Sequence, residues 1–299
     1  MNQLIQDINE AGIAFLIDEP LKRHTSFKLG GPADVMVLPK TVEEIQIVLK
    51  TAKKYHKPLF ILGNGSNVLF DDDGFRGVVI KLARNFSEFS IQGNIIKAQS
   101  GALLTKVCKK AARKSLGGAE FATGIPGTIG GGVVMNAGAY DGELKDVIKS
   151  VTAMSLDGEI KTFTNEEMKF GYRTSAVLEE NLIVLEVEME LVPGDHDAIW
   201  AKIDDFTTRR WTKQPLDLPS GGSTFKRPLG NYAGKLIEEA GLKGLRYGNA
   251  MVSDKHSGFV VLKGDSSTKE VLTLISTVKK TVKDQFDIEL EPEVKIIRP

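Results

Sequence analysis

The sequence predicts an α+β protein of more than one domain, and three observations carry that reading. Strand and helix signals alternate through residues 34–98, hairpin signals recur on either side of the next helix, and a turn cluster at Pro193, Gly194 and Asp195 precedes a helix-rich remainder. With 299 residues and 41% apolar content, the chain can bury two or three modest cores.

Residues 34–39 (DVMVLP) read as a strand, followed by an amphipathic helix over 41–55 in which Thr41 and Glu44 make a capping box. PLFILG returns as a buried strand and GVVIKL closes the βαβ unit. EFSIQG and NIIKAQ alternate around Gly93 and Asn94, a hairpin signal. The helix over 103–115 carries Leu103, Leu104, Val107, Cys108 and Ala111 as an apolar stripe, which makes Cys108 a packing residue. VTAMSLDGEIKTF is a second hairpin turning at Asp157 and Gly158, and NLIVLEVEMELVP is a long alternating strand. Beyond residue 195 come a helix near 196–211, the loop KQPLDLPSGGSTFKRP and a small α+β segment. Its last helix, 268–286, places Val271, Leu274, Ile275, Val278 and Val282 on one face. The final EPEVKIIRP is a short strand that either finishes this segment or returns to the first domain.

Lysine plus arginine and aspartate plus glutamate both total 39, so no global field favours nucleic acid or an anionic membrane, and a small-molecule partner is expected. The N-terminus lacks a basic n-region, an apolar h-region and a cleavage site, and no apolar run approaches membrane-spanning length; the expectation is a soluble, cytoplasmic protein. A single cysteine excludes an internal disulfide and a thiolate metal cluster. His24, His56, His196 and His256 are scattered with no HExxH spacing, so no metal site is expected.

Two glycine-rich segments stand out, LGNGSN at 62–67 and GIPGTIGGGVVMNAGAY at 124–140. Glycine permits positive φ and close approach of backbone to a flat or charged ligand. Neither segment is a Rossmann turn: no GxGxxG stands between a strand and a helix, SNVLF after the first loop is strand-like, and GxxxxGK[ST] is missing. The pair predicts one large phosphate-bearing ligand held by a nest of peptide N–H groups without a helix dipole, with Ser66 and Asn67 as neutral donors.

Taken in order, GGPADVMVLP, LGNGSNVLF, GIPGTIGGGVVMNAGAY, FGYRTSAV, GSTFKRP, AGKLIEEAGLKG and EPEVKII resemble the UDP-N-acetylenolpyruvoylglucosamine reductase (MurB) family, over about residues 24–297. The resemblance implies an FAD-binding region of the vanillyl-alcohol-oxidase (PCMH) type in two subdomains, 1–85 and 86–195, and a substrate domain at 196–290, with 291–299 free to return to the first subdomain. It implies NADPH reduction of non-covalently bound FAD, hydride transfer from flavin N5 to the vinyl carbon of an enolpyruvyl UDP-sugar, and UDP-N-acetylmuramate, a peptidoglycan precursor, as product. For FAD it points to Gly63, Asn64, Gly65, Ser66 and Asn67 at the pyrophosphate, to Ile125, Pro126, Gly127, Thr128, Ile129 and Gly130 along the flavin and its chain, and to Ala137 and Gly138 less directly.

The same resemblance assigns Arg173 to the substrate carboxylate and the developing enolate, where a guanidinium fork is suited to both. Ser223 becomes the proton donor to the carbanionic carbon, a role that requires a dry site. Glu293 joins Arg173 in stabilising the enol-like intermediate; Glu291 shares its strand face, so spacing does not choose between them and the family EV pair does. Lys226 and Arg227 are candidates for the substrate diphosphate, although many relatives carry Asn at position 227. Tyr172 is a substrate or packing candidate, and His256 a structural residue. The short interval between Arg173 and Ser223 resembles the compact subclass without the extra tyrosine loop. His24 stands where many relatives have Asn. A flavin oxidase of the same fold and a non-catalytic nucleotide-binding protein are the competing readings, and a monomer is the slightly favoured state.

Overall fold

The computed structural model describes residues 1–298, which divide into two compact units. The first comprises Met1–Ile17, Asp34–Asn64 and Gly77–Arg210. Its N-terminal helix, Asn2–Glu10, has no counterpart in the sequence reading; Leu4 and Ile8, one turn apart, are buried in the same cluster as Ile45, Val48 and Leu49 of the helix Val42–Lys54. Thr41 caps that second helix by accepting from the Glu44 N–H at 3.2 Å, but the Glu44 carboxylate returns to the Lys40 N–H at 2.6 Å rather than to that of Thr41. The box is therefore closed one residue early.

The strands of the first sheet stand in the order Phe15–Pro20, Pro32–Val37, Phe75–Lys81, Leu59–Leu62. Phe75–Lys81 is inserted between the two strands that the helix joins, and it runs parallel to Leu59–Leu62 with Lys81 opposite Leu62. A five-stranded antiparallel sheet follows, ordered Ile160–Thr164, Ile148–Met154, Ile183–Glu190, Ile95–Gln99, Phe89–Gln92. Both anticipated hairpins form its flanks, and the long alternating strand takes the centre because Val184, Val187 and Met189 bury into one core with Ile96, Ala98 and Val151. The helix Leu104–Ala112 sets Leu104, Val107, Cys108 and Ala111 into that core. Helix His196–Lys213 buries Ile199 and Ile203 beside Ala112, so its residues through Arg210 count with this unit.

The second unit is formed by Asp18–Ala33, Gly65–Arg76 and the chain from Trp211 onward. Its antiparallel sheet, Arg246–Tyr247, Ala250–Val252 and Val260–Leu262, shares a core with the helix Thr268–Phe286, which buries the five apolar residues of its predicted face. Ser267 caps this helix by accepting from the Glu270 N–H. The terminal strand Lys295–Ile297 pairs in parallel with Val68–Phe70, Lys295 opposite Val68 and Ile297 opposite Phe70.

Candidate active site

In the first unit the strand Leu59–Leu62 delivers the chain to Gly63, whose Cα faces Thr128; a Cβ at Gly63 would stand 2.5 Å from Thr128 Oγ1. Asn64 Nδ2 donates to the Pro126 carbonyl at 2.6 Å, and Lys81 Nζ donates to the Gly63 carbonyl at 2.6 Å. The two glycine-rich segments thus meet through Gly63, Asn64, Pro126 and Thr128. Gly127 accepts from the Leu104 N–H at 3.1 Å, Ile129 is fully buried, and Ile125 packs half-buried on the same core.

The second segment departs from the expected loop. Ile129–Val134 is a short helix whose N-cap, Thr128, accepts from the Gly131 N–H at 3.3 Å. Its glycines serve close packing: a Cβ at Gly130 would lie 2.6 Å from Ser100 Cβ, and one at Gly132 would lie 2.8 Å from Leu144 Cδ1. Helix periodicity does not reveal such an element, because its buried face is made of missing side chains. Ala137 donates its N–H to the Gly132 carbonyl, and Gly138 pairs with Glu143 in a tight two-stranded turn.

Gly65, Ser66 and Asn67 belong to the second unit. Gly65 has φ +65°, and a Cβ there would be 2.1 Å from the His24 carbonyl oxygen, which leaves no room for another residue. Its own carbonyl accepts from the Ser26 N–H at 3.0 Å, while Ser26 Oγ donates to Ser220 at 2.6 Å. The sequence reading gave Ser26 no role. Asn67 Nδ2 donates to the Glu293 carbonyl at 3.3 Å, and the His24 ring pairs with Glu19 at 2.9 Å.

Arg173 stands at the tip of a tight turn in the first unit. Gly171 and Thr174 exchange backbone hydrogen bonds of 3.2 and 3.4 Å, leaving Tyr172 and Arg173 as the connecting residues, with Arg173 at φ +56° and its guanidinium 5.1 Å from the Tyr172 ring centre. A non-glycine residue in the left-handed region costs about 1–2 kcal/mol and persists only when its surroundings fix it. Two bonds from the glycine-rich segment fix this one. Asn136 Nδ2 donates to the Gly171 carbonyl at 3.1 Å, and Ser175 Oγ donates to the Val134 carbonyl at 3.0 Å. Asn136 is fully buried and also accepts from the Lys145 N–H at 3.0 Å and donates to Glu143 at 3.1 Å. Asn136 and Ser175 escaped the sequence reading, since their partners are backbone carbonyls and a carboxylate that no motif spacing reveals.

The segments that carry Ser223 and Glu293 run side by side in the second unit. Phe225 bridges Pro292, the Glu293 N–H donates to Thr224 at 2.8 Å, and the Lys226 N–H donates to Glu291 at 2.8 Å. This short antiparallel ladder sets Ser223 one residue from the position opposite Glu293. Of the two glutamates that spacing left equivalent, Glu291 is exposed and its Oε1 pairs with Lys226 Nζ at 2.5 Å. Lys226, expected at the substrate diphosphate, therefore has a carboxylate partner, and Arg227 lies 4.5 Å from the Tyr232 ring centre. Lys295 is held below the ordinary lysine range by burial and then by the Lys226 charge. His256 Nδ1 accepts from the Gly258 N–H at 3.1 Å and burial lowers its pKa, which suits a neutral structural ring.

The first unit fits a ligand lying along the cradle: Ser100 Oγ, beside Gly130, is buried with no hydrogen-bond partner, and buried hydroxyls rarely remain so. Residues 33–164 match the FAD binding domain family and residues 214–297 match the C-terminal domain of UDP-N-acetylenolpyruvoylglucosamine reductase. Fold and site define the class, an FAD-dependent oxidoreductase with a PCMH-type flavin region and a separate C-terminal domain. The chain is 52% identical to the UDP-N-acetylenolpyruvoylglucosamine reductase of Alkaliphilus oremlandii, covering 94% of this chain and 93% of that protein. It is likewise 52% identical to the reductase of Clostridioides difficile, covering 94% and 92%. The crystal structure of the Thermus caldophilus reductase (MurB) matches with a TM-score of 0.81 at 34% identity, covering 95% of this chain and 98% of that one. The chain belongs to the UDP-N-acetylenolpyruvoylglucosamine reductase (MurB) family.

Proposed function

We propose that the protein reduces UDP-N-acetylglucosamine enolpyruvate to UDP-N-acetylmuramate with NADPH, in the cytoplasm, during peptidoglycan precursor synthesis. The observation that carries the reading is the ladder joining Thr224 to Glu293, which brings the backbone next to Ser223 alongside that of Glu293. FAD, when bound, supplies the capacity to take a hydride from NADPH and deliver one to the vinyl carbon. Gly63 to Asn67 and Ile125 to Gly130 hold it non-covalently, with Ala137 and Gly138 bounding the cradle.

Arg173 binds the substrate carboxylate through its guanidinium fork and meets the negative charge that develops on the adjacent carbon. A turn fixed before substrate arrives spends no reorganisation at that step. The Ser223 hydroxyl then gives its proton to that carbon. Ser223 is exposed in the structure, so its proton becomes transferable only where the bound substrate, whose carbanion is strongly basic, displaces water from the hydroxyl. Glu293 hydrogen-bonds the substrate carboxyl group in its enol-like form. Tyr172, Lys226 and Arg227 contact the substrate, and the Lys226–Glu291 pair must open for Lys226 to reach a diphosphate.

Anaerobic mixing tests the reading. NADPH should bleach the flavin absorption of the purified protein, and the enolpyruvyl substrate alone should restore it. A flavin that oxygen reoxidises and the enolpyruvyl substrate does not would defeat the assignment in favour of an oxidase.

A further inference from the structure

Lys81 ends the strand Phe75–Lys81, opposite Leu62 in a parallel pair, and this register brings its side chain to the start of the Gly63 loop. The residue is 9% exposed. Its ammonium donates to the Gly63 carbonyl at 2.6 Å, and among the described residues it makes no ion pair. Asn85 Nδ2, donating to the Lys81 carbonyl at 2.8 Å, pins the backbone below it. An ammonium has three donors, and one carbonyl occupies only one of them. Buried cations are ordinarily paired with an anion, because desolvation strongly disfavours the charge otherwise.

The cradle presents the complementary deficit. A nest of peptide N–H groups carries only partial charges, and Ser66 and Asn67 are neutral, yet a diphosphate brings about two negative charges into a largely desolvated site. We propose that Lys81 is the cationic contact of the FAD diphosphate, its buried ammonium directed by the Gly63 carbonyl and its spare donors left for the phosphate oxygens. This rests on the assignment of the Gly63–Asn64 turn to the diphosphate. Burial alone pushes the Lys81 pKa down to about 8, the behaviour of a cation held without its counter-charge. The sequence conceals the role: GVVIKL reads as a buried strand with a lysine at its end, eighteen residues beyond the loop it serves.

The experiment uses the full chain and follows dissociation of FAD by recovery of flavin fluorescence, with riboflavin as a probe lacking the diphosphate. Lys81→Met removes both the charge and the donor, whereas Lys81→Gln keeps a donor for the Gly63 carbonyl. Both should weaken FAD about ten- to a hundredfold, the loss of a charge-assisted contact, and leave riboflavin within about twofold of wild type. A Gln variant with wild-type FAD affinity would show that Lys81 only braces the loop, and equal weakening of FAD and riboflavin would show that the loop has collapsed; either result overturns the proposal. If the Met variant does not fold, the Gln variant carries the same comparison. Gly63→Ala separates the two levels. Unchanged FAD binding in that variant defeats the diphosphate assignment, while weakened binding there beside intact binding in both Lys81 variants defeats only the role of Lys81.

Discussion

The cradle at Gly63 and Gly130 and the ladder joining 223–226 to 291–293 prepare the molecule for chemistry in opposite ways. At Gly63 and Gly130 the decisive atom is the Cβ that is absent, since one placed there would stand 2.5 Å from Thr128 Oγ1 or 2.6 Å from Ser100 Cβ. In the ladder the backbone bonds are ordinary antiparallel pairings, and in the proposed function the decisive atoms are side chains on and beside it, Glu293 and Ser223. A region specified by space loses stability or cofactor when altered. A region specified by functional groups on a tolerant backbone loses one step of the reaction and little else.

The largest expected effect sharpens that contrast. Ser223→Ala should leave NADPH reduction of the bound flavin unchanged and slow reoxidation by the enolpyruvyl substrate by roughly a thousandfold or more, read as two separate half-reactions by stopped flow. Equal losses in both would mean that the ladder also shapes cofactor binding, and the comparison would fail. Glu291→Gln supplies the reference within the same ladder. Its ion pair with Lys226 is largely solvated, so turnover should stay within a few fold, with any change confined to KM.

A smaller effect is expected where the glycine-rich segment itself supports a functional side chain. Asn136 lies in the glycine-rich segment yet holds the turn of Arg173 through the Gly171 carbonyl. Asn136→Ala leaves the Lys145 N–H without its partner and the Gly171 carbonyl with only the 3.4 Å bond from the Thr174 N–H, and a group left unsatisfied costs about 1–3 kcal/mol. We expect kcat to fall about tenfold through a misplaced Arg173, with FAD content unchanged, as measured by flavin-to-protein ratio and steady-state kinetics. A loss of FAD with normal kcat per bound flavin would place Asn136 with the cradle instead.

These residues also mark how far the sequence could be read. The strands Pro32–Val37, Leu59–Leu62, Phe75–Lys81 and Ile183–Glu190, both hairpins and the helix Thr268–Phe286 were legible because periodicity and turn chemistry are local, whereas the strand Phe15–Pro20 was not read. The short helix Ile129–Val134 was not, since glycine carries no hydrophobic period, and neither was Asn2–Glu10, where only Leu4 and Ile8 are fully buried. Arg173, Ser223 and Glu293 were named through resemblance; spacing alone left Glu291 and Glu293 equivalent, and the choice between them came from the family EV pair. Ser26, Lys81 and Asn136 stayed hidden for a common reason. Each acts on a main-chain carbonyl distant in sequence, at Ser220, Gly63 and Gly171, and a carbonyl leaves no trace in the residue type that bears it.

The smallest effect concerns Cys108, the side chain in the first unit with the greatest intrinsic reactivity. If the core beneath the glycine-rich segment contributes only space to the cofactor, Cys108 should be chemically idle. It is 2% exposed within the apolar stripe of Leu104–Ala112, and desolvation, reinforced by the Glu120 charge, pushes its thiol up to about 12. Because the folded-state pKa is raised, the neutral thiol persists throughout the range below it, and at pH 8 the thiolate fraction is about one in ten thousand. The native protein should therefore resist a thiol-specific reagent at pH 8 and react fully once unfolded in guanidinium. Cys108→Ala should retain FAD and turnover and lose only about 1 kcal/mol to the small cavity, whereas Cys108→Ser, burying a hydroxyl among apolar neighbours, should lose about 1–3 kcal/mol. Rapid modification of the folded enzyme together with loss of turnover would give the core beneath the glycine-rich segment a reactive side chain, and the division between space and functional groups would have to be redrawn at that residue.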